Sequence, residues 1–156
     1  MAAENPYLHT REFVKTFGDQ TVAELRSSLV SHGKVASGRL YNSIAWKAHE
    51  EPGFFGISYL WLPYGRNVND GRRAGAPPPP LSAIQDWCRI RRIDIEAAYP
   101  IARAIGRRGQ PATYWYTQVI EKNRKRFHDG VAKGVREDLV VNLINELRTL
   151  PNIKKK

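Results

Sequence analysis

Ile44-Ala45-Trp46-Lys47-Ala48-His49-Glu50-Glu51-Pro52-Gly53-Phe54-Phe55-Gly56-Ile57-Ser58-Tyr59-Leu60-Trp61-Leu62 is the stretch that separates this chain from an all-helical protein. Two apolar runs rich in aromatic and branched residues flank a Pro-Gly turn sequence. That pattern predicts an antiparallel hairpin with strands over 44–48 and 54–62. In the first run Ile44, Trp46 and Ala48 alternate with Ala45, Lys47 and His49. In the second, both alternating sets are largely apolar, which predicts a strand covered on both sides.

Helical patterns lie on either side of this hairpin. Upstream, Phe13, Phe17, Val22, Leu25 and Leu29 predict a helix over 10–31, with Thr10 as N-cap, Gly18 as a weak point and Gly33 as the residue that ends it. Gly38 marks a turn. Downstream, Tyr64–Asn69 suits one helical turn, and Pro77–Pro80 stiffens the approach to a helix over 81–91. Ala98, Ile101, Ala102 and Ile105 make the stripe of a helix over 97–108, with Pro100 tolerable only in its first turn. The remainder, 113–148, reads as helical. Tyr116, Val119, Ile120 and Phe127 line one side, and Val131, Val135, Leu139, Leu143 and Leu147 continue the stripe. Asp129-Gly130 divides or bends it, and Pro151 closes it. The class is α+β: a small antiparallel β-sheet packed against an N-terminal helix and a helical C-terminal half.

With 156 residues the chain has the length of one domain and needs no disulfide to build a core. Its single cysteine, Cys88, sits on an apolar stripe and reads as a buried structural thiol. No apolar run reaches the roughly 18–20 residues of a membrane span, and the start lacks the basic and apolar regions of a signal peptide. The expectation is a soluble protein made in a reducing cytoplasm.

Charge is the most informative part of the composition. The net charge is +10, yet residues 1–60 hold six basic and six acidic side chains. Residues 61–136 hold fifteen and six, so the excess lies there. It falls in clusters: Arg72/Arg73, Arg89/Arg91/Arg92, Arg103/Arg107/Arg108, and Lys122/Arg124/Lys125/Arg126. Arginine predominates, which suits forked contacts to phosphate or carboxylate. The clusters read either as a surface for nucleic acid or an acidic protein, or as a solvated face that keeps the chain soluble. Gly71-Arg72-Arg73-Ala74-Gly75 and Gly106-Arg107-Arg108-Gly109-Gln110 resemble each other as loops carrying paired arginines.

Catalytic patterns are missing from the sequence. His9, His32, His49 and His128 are scattered without metal-ligand spacing. Asp86, Asp94 and Glu96 alternate with arginines and read as ion-pair and helix-end residues rather than a nuclease centre. The glycines form neither phosphate-cradling fingerprint. Tyr114, Trp115 and Tyr116 beside Lys122–Arg126 could stack on bases, but core or subunit interface is the better reading.

Three segments in order carry a family resemblance. They are Ser37-Gly38-Arg39-Leu40-Tyr41-Asn42-Ser43-Ile44; the aromatic and Gly-Arg stretch from Tyr64 to Pro80 leading into Leu81-Ser82-Ala83-Ile84-Gln85-Asp86-Trp87; and Ala98-Tyr99-Pro100-Ile101-Ala102-Arg103-Ala104-Ile105-Gly106-Arg107-Arg108-Gly109. Over roughly residues 10–125 the chain resembles the neck or tail-completion (head–tail connector) proteins of tailed bacteriophages. Pro100 departs from the pattern.

The resemblance implies a single domain over 1–156, with 127–156 as a C-terminal helical extension. It implies a non-enzymatic virion protein, without cofactor or metal, made in the host bacterial cytoplasm. Such a protein forms a homo-oligomeric ring at the head–tail junction, joins portal or adaptor to tail proteins, surrounds the DNA channel and touches packaged DNA without specificity. Arg66, Arg72, Arg73, Arg107, Arg108, Lys122, Arg124, Lys125 and Arg126 are the candidates to face DNA or a neighbouring subunit. The competing expectation is a free basic nucleic-acid-binding protein that contacts phosphates through the same arginines; no known reading motif accompanies them.

Overall fold

A 24-residue helix, α1 (Leu8–Ser31), and a 33-residue helix, α6 (Thr117–Thr149), form the frame of the molecule. The computed structural model describes residues 6–149. Between the two long helices come α2 (Arg39–Ser43), β1 (Ala45–Glu51), β2 (Phe54–Leu60), α3 (Gly65–Asp70), α4 (Leu81–Arg91), a short 3-10 turn over Ile95–Ala97, and α5 (Ala98–Arg108). The α+β class is as expected.

The hairpin pairs Ala45 with Leu60 through to Glu51 with Phe54. The turn is therefore Pro52-Gly53 alone, with Gly53 at φ 76°, and the first strand runs three residues further than its apolar pattern indicated. The second ends at Leu60, because Trp61 and Leu62 turn into the core next to α3. One side of the sheet lies on α1. Trp46 lies directly over Gly18 and donates its indole N–H to Asp19 Oδ1 at 2.9 Å. Gly18 is thus where the hairpin docks, not a weak point. Arg11 clamps the hairpin's far end, its guanidinium 2.6 Å from Glu50. The other side is not fully covered: β2 is half-buried in its middle, and Phe54 and Leu60 are exposed.

The core gathers Val22, Leu25, Leu29, Leu40, Ile44 and Trp115, with Trp46, Tyr59, Trp61 and Val119 packed around it. Trp115 is fully buried and donates to Gly65 O at 3.0 Å, so the aromatic triplet is core at its centre. Tyr114, by contrast, is exposed at φ 52°. Arg26 on α1 reaches two carbonyls at the end of α2, Tyr41 O and Ile44 O, both at 3.2 Å.

Both long helices receive their N-terminal caps from distant parts of the chain. Thr10 is not the cap of α1. That position is Tyr7, which supplies no side-chain bond. Instead Asp138 of α6 accepts from His9 N at 2.8 Å, Thr10 N at 3.0 Å and Thr10 Oγ1 at 2.6 Å. At the start of α6, Asn69 Oδ1 accepts from Tyr116 N at 3.2 Å and Thr117 N at 3.4 Å. A side chain that satisfies first-turn N–H groups stabilises a helix wherever it comes from.

The Asp129-Gly130 break does not occur; α6 is continuous. Gly130 sits beneath the Phe13 ring and Gly134 against the Thr10 backbone, so these glycines let α1 and α6 close on one another. Residues 127–138 are consequently packed on α1. Beyond Asp138 the helix outruns its partner: Leu139, Leu143 and Leu147 are exposed, not buried as their spacing suggested. The expected stop at Pro151 lies outside the described residues.

Helix α5 begins at Ala98, so Pro100 falls in its first turn, where no backbone donor is required. Ala98, Ala102 and Gly106 form its buried face, and Cys88 of α4 is fully buried. No helix among the described residues is long and apolar enough to cross a membrane.

Candidate assembly and nucleic-acid surface

The two look-alike arginine loops lie side by side. Arg72 N donates to Gln110 O at 2.8 Å and Gln110 N donates to Arg72 O at 2.9 Å, a two-bond antiparallel bridge. Gly75 N adds a bond to Gly106 O at 2.9 Å. The glycines make the approach possible. Gly71 and Gly109 hold φ of 72° and 73°. A Cβ on Gly71 would lie 2.5 Å from Gln110 O, and a Cβ on Gly109 would meet the Arg72 carbonyl. Any other residue at either position would combine a left-handed backbone with a clash.

This pairing brings Arg72, Arg73, Arg107 and Arg108 to one edge of the molecule. Arg72 is partly tied down, since its guanidinium bonds Pro77 O. Arg73, Arg107 and Arg108 are exposed and have no side-chain partner among the described residues. Such free guanidinium groups are available to phosphate or to an acidic neighbour at little desolvation cost. Arg66 stands apart on α3, 3.7 Å from Asp70.

The α6 cluster divides. Lys122 and Lys125 are exposed and edge a shallow concavity with Phe13 and Lys133. Arg124 lies 3.6 Å from Glu121 on its own helix. Arg126 turns inward to the seam between α1 and α6. It meets Glu24 at 3.5 Å, Asn123 at 3.2 Å and Gln20, and its guanidinium sits 5.2 Å from the Phe17 ring centroid. These contacts give Arg126 a structural task.

Asn69, Glu24 and Asp138 organise this framework without having stood out in the sequence. Asn69 stands at the end of the helical turn expected over Tyr64–Asn69, where nothing in the sequence marks its side chain as the cap of a distant helix. Asp138 carried one readable signal: with Phe127, Gly130 and Gly134 it forms a face at helical spacing, next to the apolar stripe. Burial is the largest influence on the Asp138 carboxyl and pushes its pKa up. The hydrogen bonds from Thr10 and His9 outweigh it and hold the group below the usual carboxylate range.

Among the described residues no three or more of His, Cys, Asp and Glu gather as a metal-binding group. Comparison with family models, with curated proteins and with solved structures finds no match.

Proposed function

We propose that this chain is a ring-forming structural subunit at the head–tail junction of a tailed bacteriophage. In this reading it joins portal or adaptor to tail proteins and surrounds the DNA channel. It is made in the host bacterial cytoplasm and acts in the virion, without catalysis. The observation that carries the reading is the order of the three resembling segments. Their small and apolar positions have clear structural uses: Leu40 and Ile44 enter the core, Ala98, Ala102 and Gly106 are buried, and Gly109 permits the loop pairing. Arg73, Arg107 and Arg108 supply a charged edge for channel DNA or for acidic residues of a neighbour.

The test is the native mass of the purified protein, alone and with candidate neck proteins. The expected result is one discrete closed oligomer. A monomer under both conditions, or absence of the protein from the assembled virion, overturns the reading. The unpaired arginines also favour a second reading, a free nucleic-acid-binding protein. Strong discrimination between DNA sequences persisting at high salt would select it, because phosphate contacts alone carry no sequence information.

A further inference from the structure

The two-stranded sheet has two outer edges with different surroundings. The edge of β2 faces α6 across a trough of about 490 Å³, walled by Ile120, Asn123 and Phe127. The edge of β1 has no such wall, and Lys47 to Glu51 are all exposed. The register fixes which groups this edge presents. Pairing closes on the two-residue turn Pro52-Gly53, so Glu51 and Phe54 form a hydrogen-bonded pair. Such pairs alternate along an antiparallel ladder, which makes His49–Gly56 and Lys47–Ser58 the next ones. Trp46, Ala48 and Glu50 therefore direct their N–H and C=O groups outward. Among the described residues nothing bonds these groups. Arg26 ends the open row by donating to Ile44 O at 3.2 Å.

The side chains of β1 divide by face. Trp46 and Glu50 turn to α1, where Asp19 and Arg11 hold them. Lys47, His49 and Glu51 stand on the opposite face. His49 Nε2 is 2.8 Å from Ser58 Oγ. Lys47 and Glu51 have no side-chain partner among the described residues. A lone lysine in the middle of an edge guards a strand against pairing. Here the opposite charge lies four residues along on the same face, so a strand of the same sequence running the other way satisfies the lysine.

We infer that β1 of one copy of this chain pairs antiparallel with β1 of a second copy, joining the two hairpins into one four-stranded sheet. With His49 on the twofold axis, Ala48 of each copy meets Glu50 of the other, and the two residues exchange their outward hydrogen bonds. The same register sets Lys47 of each copy directly opposite Glu51 of the other, a stabilising cross-strand arrangement. With Ala48 on the axis instead, Lys47 would face His49 and Glu51 would face Ala45, so charge selects the register. Any extended strand can match the backbone row; a second β1 also brings an acid to Lys47 and a base to Glu51. The contact is isologous and closes on two copies. It does not depend on the ring reading above; in a ring it joins two rings face to face.

Ala48→Pro removes an outward N–H and leaves the ladder to β2 intact, because proline is tolerated on an edge. Lys47→Glu and Glu51→Lys each set like charges against one another at both cross-strand positions. Circular dichroism should show all three variants folded. Light scattering should give each one half the native mass of the parent. An equimolar mixture of Lys47→Glu and Glu51→Lys chains should recover the parent mass, since every opposed pair is then acid against base. A monomeric parent overturns the inference, as do charge variants that keep the parent mass. Halved masses that mixing does not restore overturn it as well, because the edge then pairs with something other than a second β1. Half-mass variants that are monomers would remove the ring reading and leave the inference standing; half-mass variants that are closed rings leave both.

Discussion

Thr10 and Asp138 lie 128 residues apart, and a 2.6 Å hydrogen bond joins the Thr10 hydroxyl to the Asp138 carboxylate, which also accepts the Thr10 N–H. The cap of the first helix is therefore absent until the last helix has docked. Asp138→Asn should cost about 2–3 kcal/mol at pH 7, the scale of a lost cap and of hydrogen bonds to a charged acceptor. The folded carboxyl has a lowered pKa, so its contribution is complete above the unfolded value of about 3.9 and fades as pH falls through the lower folded one. Urea unfolding of variant and parent should differ at pH 7 and converge under acid conditions. A difference independent of pH would show that the carboxylate charge does not matter.

Gly134→Ala should destabilise the protein although alanine is the better helix former. A Cβ at 134 would lie 2.8 Å from Thr10 Cα, and backbone cannot swing aside as a side chain does. The propensity gain of about 1 kcal/mol is set against an overpacking cost of about 1–3 kcal/mol. Thermal unfolding decides it; a raised midpoint would mean that the two helices are free to separate.

Asn69→Ala removes the acceptor for two N–H groups at the start of α6 and the donor to Thr117 Oγ1 at 3.0 Å. With Asn69 1% exposed, the groups left behind have little access to water. The expected loss is about 2–4 kcal/mol, from stranding buried polar groups. Hydrogen exchange should show faster opening near Tyr116 and Thr117, and unchanged protection there would exclude the capping role.

Arginine substitutions should separate two jobs. Arg107→Ala with Arg108→Ala should leave stability nearly unchanged and weaken DNA binding alike for all sequences. The slope of log affinity against log salt should become shallower by up to about two units. Arg126→Ala should do the reverse, lowering stability through its contacts to Glu24, Asn123 and Phe17 with little effect on DNA affinity. Titration at several salt concentrations beside chemical unfolding reads both. Equal loss of affinity in the two variants would refute the division.

Local patterns were legible where local forces decide. The hairpin followed from two apolar runs around Pro52-Gly53, and α5 from its small apolar stripe. Gly33, at φ 62°, ends α1 as its position suggested. Misreadings arose where tertiary contact overrides local preference. Gly18 and Gly130 looked like helix breakers because their use is to admit Trp46 and Phe13. Thr10 looked like a cap because the cap actually used comes from the other end of the chain. The stripe through Leu139 looked buried because periodicity says that a face is apolar, not what covers it. In the site, the likeness of the two arginine loops was visible, but their pairing through Arg72 and Gln110 depends on where α4 and α5 return the chain.

That return has a consequence for how the molecule can change. The chain leaves the body at Arg72 and re-enters it at Gln110, and these two residues are hydrogen-bonded neighbours. No residue between them belongs to the core of Leu25, Leu29, Ile44 and Trp115 or to the side chains packed on it. The α4–α5 hairpin is therefore an excursion with adjoining endpoints. It is the kind of segment that can be shortened, lengthened or exchanged for another while the body keeps its fold. Changes of length or sequence there leave the core of Leu25, Leu29, Ile44 and Trp115 untouched.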